Sequence, residues 1–282
     1  MCRLVAYLGV KVMLERVLVK PQNSLVMQSL NAQETTIHTN GDGFGLGWYA
    51  PEINERPALF SSIFPAWNDR NLLHLTSKII SPCFFAHVRA ASVGGINPLN
   101  CHPFNHGKWL LMHNGEIANF MMVKRHLRRM LDDEFYHWIQ GETDSEHIFA
   151  LFLQLAKGKD LSDFSVVTST FEDTIAEINY LVSIYGSSEP SYLNVCLTDG
   201  QRMIACRYCS DKQTEPLSLH YFAGCSTEEK ANYQAQQSNQ KTDFVLISSE
   251  KLSDFDEGWE VVPTNHLVLI DKDLSIQTKA IG

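Results

Sequence analysis

MCRLVAYLGVK, residues 1–11, is the stretch on which the fold turns. After Met1, residues 2–8 are almost all apolar, β-branched or aromatic and read as a buried strand. Chain ends ordinarily fray, so a strand placed here is one that the core needs. The apolar run stops at Lys11, too short for a secretory leader or a membrane span. Removal of Met1 would leave Cys2 with both a thiol and a free α-amine. Such an amine titrates at about 7.7–8.0, against about 10.4 for lysine. Near neutral pH it can take up a proton, so one residue supplies nucleophile and base. The plain alternative is a small residue that packs inertly.

Outward from that strand, the spacing predicts a short helix within 11–19, ended by Pro21, and strands at 46–49, 83–89 and 109–113. Helices are expected over 119–131, 143–156 and 171–185. In the second, Thr143 and Glu146 form a T-x-x-E capping box, and Ile148, Leu151, Phe152 and Leu155 keep helical spacing. Strands are expected again at 192–198, 202–208, 219–223, 244–248 and 267–271. The polar stretch 225–243 reads as a loop, and 51–82 shows no clear organisation. Strands, then helices, then strands indicate two sheets with helices packed outside them, an α+β arrangement. No linker divides the chain, so one domain over 1–282 is expected.

Composition narrows the function. Apolar residues make up 44% of the 282, enough for a sizeable core. The formal charge is −9, from 23 basic and 32 acidic residues, which argues against a nucleic-acid binder. Seven cysteines scattered at 2, 83, 101, 196, 206, 209 and 225 do not form a disulfide framework. A cytoplasmic protein of a reducing compartment is expected.

Several short motifs could carry chemistry. FFAHVRAAS (84–92) ends a strand on Arg89, whose guanidinium suits a bidentate grip on a carboxylate; the alternative is a surface arginine. LLMHNGEI (110–117) runs from a strand into His113-Asn114-Gly115. The Asn114 amide and the Gly115 N–H can meet at an oxyanion, although Asn-Gly is also a common hairpin turn. GETDSE (141–146) puts Asp144 in a first helical turn. With Thr143 capping, its carboxylate is left to bind an ammonium group or merely to complement the helix dipole. NGDGFGLGWY (40–49) lacks the order of a phosphate loop and reads as backbone that must approach something closely. CRYC (206–209) has no second ligand pair, and His102, His106 and His113 lack carboxylate pairing, so a metal-dependent hydrolase is the weaker reading. KRHLRR (124–129) reads as a solvated helix face.

Together and in this order, MCRLVAY, HVRAAS, NPLNCHPF, HNGEI and TDSE resemble the class-II glutamine amidotransferases, the N-terminal-nucleophile (Ntn-hydrolase) glutaminases. The resemblance spans residues 2–156 closely and 157–282 loosely. It implies a four-layer α/β/β/α sandwich and no cofactor or metal. Cys2 would attack a γ-glutamyl amide carbonyl to form a thioester, with Asn114 and Gly115 holding the oxyanion. Arg89 would grip the substrate α-carboxylate and Asp144 its α-ammonium, with Ser92 and His102 near the site. The sequence departs from the family pattern at Ala90, where several members carry tryptophan, and at Val93, where histidine is common. The MCRL opening and DGFGLGWY look most like a stand-alone branch that hydrolyses γ-glutamyl compounds of glutathione-like or ergothioneine-type metabolism. The resemblance therefore implies a small-molecule γ-glutamyl substrate, with ammonia hydrolytically released or passed to a separate acceptor subunit. A non-catalytic binder of γ-glutamyl compounds is the competing class.

Overall fold

The computed structural model describes residues 2–227, 230–235, 242–252 and 258–282. The chain opens with β1 (Arg3–Met13), the one-turn helix α1 (Glu15–Leu18) and α2 (Leu25–Asn31). Then come β2 (Phe44–Trp48), β3 (Ala58–Ser62), α3 (Arg70–Thr76) and β4 (Ile80–Val88). Strands β5 (Phe104–His106) and β6 (Trp109–Glu116) lead into four helices, α4 (Phe120–Arg128), α5 (Asp133–Trp138), α6 (Asp144–Ala156) and α7 (Phe164–Tyr185). The remainder is β7 (Tyr192–Thr198), β8 (Met203–Arg207), β9 (His220–Thr227), β10 (Lys230–Ala235), β11 (Phe244–Ser248), β12 (Trp259–Val261), β13 (His266–Ile270) and β14 (Ile276–Ala280).

Among the described residues these strands make two antiparallel sheets. The first runs β10-β9-β11-β1-β4-β2-β3, with β12 also on β9; the second runs β14-β13-β8-β7-β6-β5. Alternation along each strand separates the faces. Leu4, Ala6, Leu8, Phe85, Leu110, Met112 and Cys196 meet between the sheets. Val5, Tyr7, Phe84, Phe244 and Leu246 face α1 and α2 instead, where Tyr7 stacks on Phe84 at 5.1 Å. Leu111 and Val195 face the second helical layer, with Phe149, Phe152, Ile175 and Ile178. The order of layers is helix, sheet, sheet, helix, the four-layer sandwich expected.

The expected α6 is present with Thr143 as its cap, accepting from the Glu146 N–H. Other boundaries moved. The helix expected within 11–19 shrinks to Glu15–Leu18, because β1 continues to Met13. A register shift between Leu8 and Val12 explains the misreading: it exposes Val10 and Lys11 and breaks the strand's period. The stretch 225–243 is not simply a loop, since β9 reaches Thr227 and β10 pairs with it; 228–229 and 236–241 lie outside the described residues. Residues 51–82 contain edge strand β3 and helix α3. The KRHLRR face exposes Arg125 and Arg129, but Arg128 turns inward and its Nε donates to His147 Nε2 at 2.9 Å.

His147 is buried on α6, and its Nδ1 donates to the Thr143 carbonyl at 2.7 Å. Burial pushes its pKa down to about 3, Arg128 adds to the shift, and the Thr143 bond opposes it. An unfolded histidine takes up a proton below about 6.5, whereas this one stays neutral down to about 3. Its contribution to stability is therefore complete above about 6.5 and is lost as the pH falls towards about 3. The thermal midpoint should drop as pH is lowered from about 7 to about 4, and less steeply in His147→Gln. Equal slopes for the two proteins would place the acid sensitivity elsewhere.

Candidate active site

The two sheets each bring half of the site. In the first, the β1–β4 register pairs Arg3 with Val88 and Leu4 with His87, which sets Cys2 level with Arg89. Alternation puts Cys2, Leu4, His87 and Arg89 on the inner face, between the sheets. Cys2 is half-buried, with its sulfur 3.4 Å from both the N–H and the carbonyl oxygen of Ala90. Burial pushes the thiol pKa up, while the Ala90 bond and the Arg89 and Arg3 cations pull it back. Such a thiol needs a base close by to be deprotonated near neutral pH.

Arg89 is buried, unlike the surface arginine of the plain reading. Its Nη1 donates to the Gly95 carbonyl at 3.0 Å, and its Nη2 donates to Val93 and Gly94 at 2.9 and 3.1 Å. The loop after β4 thus wraps the guanidinium, leaving the Nε–H and one Nη1–H for a ligand. Ser92 is exposed on that loop, and no hydrogen bond ties it to Cys2.

In the second sheet, Asn114 follows Leu110 and Met112 on the inner face of β6. Its side chain is completely buried, and neither Oδ1 nor Nδ2 has a partner. Buried amides are nearly always bonded, so this one stands out on the inner face of the second sheet. Gly115 pairs with Leu193, whose own N–H goes to Tyr208. The alternation of an antiparallel ladder then turns the Gly115 N–H to the open edge of β6. Gly115 has φ +147°, and an added Cβ would overlap the Tyr192 carbonyl, so only glycine lets β6 and β7 close at this point.

Asp144 departs from expectation. Its Oδ2 accepts from the Ile117 N–H at 2.8 Å and its Oδ1 from the Ser145 N–H at 2.9 Å, so its carboxylate is not left free by the cap. The bond to Ile117 fixes the start of α6 against the end of β6, three residues beyond Asn114. Glu146 does not close the capping box either; it accepts from Gln140 and Gly141. His113 reinforces the same joint, with Nδ1 2.9 Å from the Ser145 hydroxyl and Nε2 3.0 Å from the Tyr192 carbonyl.

His102 is buried near the site but reaches it only through His87, with its Nδ1 2.8 Å from His87 Nε2. Gly45 makes room for it: an added Cβ would overlap the His102 carbonyl, the close approach expected of 40–49. His106 packs on Phe135 and Trp138 instead. Among the described residues no group of three or more His, Cys, Asp or Glu is placed to hold a metal, and no helix is long and apolar enough to cross a membrane. Sequence reasoning missed two inner-face residues. His87 stands two positions before Arg89, so strand alternation alone could have flagged it. Asn194, an amide inside the apolar run of β7, is paired with Asn114 and donates to the Leu217 and Ser218 carbonyls.

A family model described as glutamine amidotransferases class-II matches residues 1–280. The chain belongs to the class-II glutamine amidotransferases. Among relatives of this amidotransferase, "Probable glutamine amidotransferase DUG3" of Saccharomyces cerevisiae is 36% identical over 295 residues, covering 96% of this chain and 82% of that protein. The gamma-glutamyl-hercynylcysteine sulfoxide hydrolase of Mycolicibacterium smegmatis is 28% identical over 272 residues, covering 95% of each. The fold of the amidotransferase also matches the glutamine aminotransferase class-II domain protein of Silicibacter pomeroyi, with TM-score 0.69, 24% identity and complete coverage of both chains. It matches glutamine phosphoribosylpyrophosphate amidotransferase of B. subtilis with TM-score 0.63 and 13% identity, over all of this chain and 49% of that one. The two antiparallel sheets are thus arranged as in these solved structures.

Gly115→Ala should lose about 1–3 kcal/mol of stability, since a buried backbone contact must give way. It should also lose turnover, because the shift falls beside Asn114. Denaturant unfolding together with glutamate release would show both; a stable, active Gly115→Ala would mean that the β6–β7 contact is soft.

Proposed function

We propose that the chain hydrolyses a γ-glutamyl amide through a Cys2 thioester, releasing glutamate and an amine. The observation that carries this reading is the buried, unbonded Asn114 amide on the inner face of the second sheet, with Cys2 on the inner face of the first. Once Met1 is removed, the Cys2 thiol proton passes to its own α-amine and the thiolate attacks the γ-carbonyl. The oxyanion is held by the Asn114 Nδ2–H and the Gly115 N–H. The α-ammonium returns the proton to the leaving nitrogen as the C–N bond breaks, and water then hydrolyses the thioester. Arg89, through its remaining N–H groups, reads the substrate α-carboxylate, and Asp144, through its remaining lone pairs, reads the α-ammonium. His102 stands behind His87, and Ser92 is on the loop that wraps Arg89.

The similarity to a gamma-glutamyl-hercynylcysteine sulfoxide hydrolase supports leaving groups larger than ammonia, so γ-glutamyl peptides and thiol conjugates stand beside glutamine as substrates. Ala90, where several members of the family carry the larger tryptophan, supports the same reading.

Glutamate release from glutamine, glutathione and γ-glutamyl anilide is the direct test, and release from none of them would leave only a binding role. Cys2→Ala should be inactive. Protein that retains Met1, identified by mass spectrometry, should be inactive too, because its Cys2 nitrogen is an amide without a basic lone pair. Asn114→Ala should be slower by about a hundred- to a thousand-fold with its fold kept; near-normal turnover would remove it from the oxyanion role. Arg89→Lys should act mainly on KM, because a point charge replaces neither the fork nor its hold on 93–95.

A further inference from the structure

β5 pairs with β6 only at Trp109–Leu111. The β6 residues that turn their N–H and C=O to this edge are Trp109, Leu111 and His113, and β5 begins at Phe104 opposite Leu111, so the ladder stops short of His113. On that open edge the His113 carbonyl accepts instead from the other sheet: His87 Nε2, on β4, lies 3.2 Å away. The same nitrogen lies 2.8 Å from His102 Nδ1, with the two rings edge-on at 4.1 Å. A carbonyl can only accept, so the bond to His113 requires the His87 proton on Nε2, and that single N–H is then shared between the His113 carbonyl and His102 Nδ1. Both rings are buried, and burial pushes the His87 pKa down to about 3 and that of His102 well below its ordinary value. Both rings therefore stay neutral through neutral pH.

The Asn114 side chain has no hydrogen bond of its own, so its aim follows the backbone. The His113–Asn114 peptide is held by β7 on one edge and by His87 on the other. We propose that His87 is a positioning residue: its Nε2–H, shared with His102 Nδ1, clamps the His113 carbonyl across the gap between the sheets and so aims Asn114 at the oxyanion. His87 also sits beside Leu4, two residues along the inner face from Cys2. One imidazole therefore ties the strand pair that carries the nucleophile to the strand that carries the oxyanion donor. The inference rests on Asn114 serving as that donor.

The test is a double-mutant cycle with γ-glutamyl anilide, reading kcat, KM and the thermal midpoint. His87→Asn should lower kcat by about a hundred-fold, the scale of an ångström-sized misplacement, with KM nearly unchanged. His87→Gln should recover most of it, because the glutamine amide nitrogen reaches the place of Nε2 whereas that of asparagine reaches only the place of Nδ1. In an Asn114→Ala background, His87→Asn should cost nothing further, since groups acting as a unit are not additive. Losses that multiply, or a wild-type kcat in His87→Asn, would overturn the clamp. Should His87→Asn not fold, His87→Gln decides: any residual loss must vanish in the Asn114→Ala background, and one that persists overturns the proposal. A full rate in Asn114→Ala alone identifies the oxyanion assignment as the fault and takes this inference down with it.

Discussion

β1 is hydrogen-bonded to β4 on one side and to β11 on the other, and this double pairing starts at once. Leu4 donates to Ser249 Oγ and accepts from the Ser249 N–H, both at 3.0 Å. On the face opposite Cys2, Arg3 is fully buried with its Nη1 3.6 Å from Glu250. Breaking such a buried pair by removing one partner costs about 3–5 kcal/mol. Glu250 in turn accepts the backbone N–H groups of Gln33 and Glu34, so the segment after α2 is held by the same group. A thiol on the second residue could otherwise wander with a frayed end. Here the residue after it is anchored more firmly than most of the surface.

That anchoring gives strand alternation its force. Because β1 and β4 are locked in register, Cys2, His87 and Arg89 must share a face; because β6 and β7 are locked, Asn114 and Asn194 must share the opposing one. Sheets pack about 10 Å apart, a gap that side chains of ordinary length can bridge. The chemistry of this amidotransferase is built across that gap. Its precision rests on how well the two sheets hold their spacing.

The parts legible in the sequence were those fixed by neighbours along the chain. The apolar run of β1, the Thr143 cap and the spacing on α6 are local, and they appear where expected. So are the motifs around Arg89 and Asn114, because each lies at the end of an apolar strand. What could not be read depends on distant partners. Nothing near Asp144 announces that its carboxylate will receive the Ile117 N–H, and nothing near Arg89 announces three carbonyls from 93–95. The edge strand β3 was missed because edge positions lack a buried face; its residues are largely exposed. The 11–19 error is of another kind. There a bulge shifts the register mid-strand, and periodicity ceases to report the backbone state.

The solitary amide of Asn114 has a thermodynamic corollary. A buried polar group without a partner forgoes about 1–3 kcal/mol, and this strand sits at the centre of the molecule. In the proposed mechanism, a substrate oxygen set against that amide would recover this cost. Binding would then firm the layer between the sheets, and a tetrahedral, negatively charged oxygen would recover more than a planar neutral one. By the same reasoning, a mimic of the tetrahedral species would raise the thermal midpoint more than the substrate does.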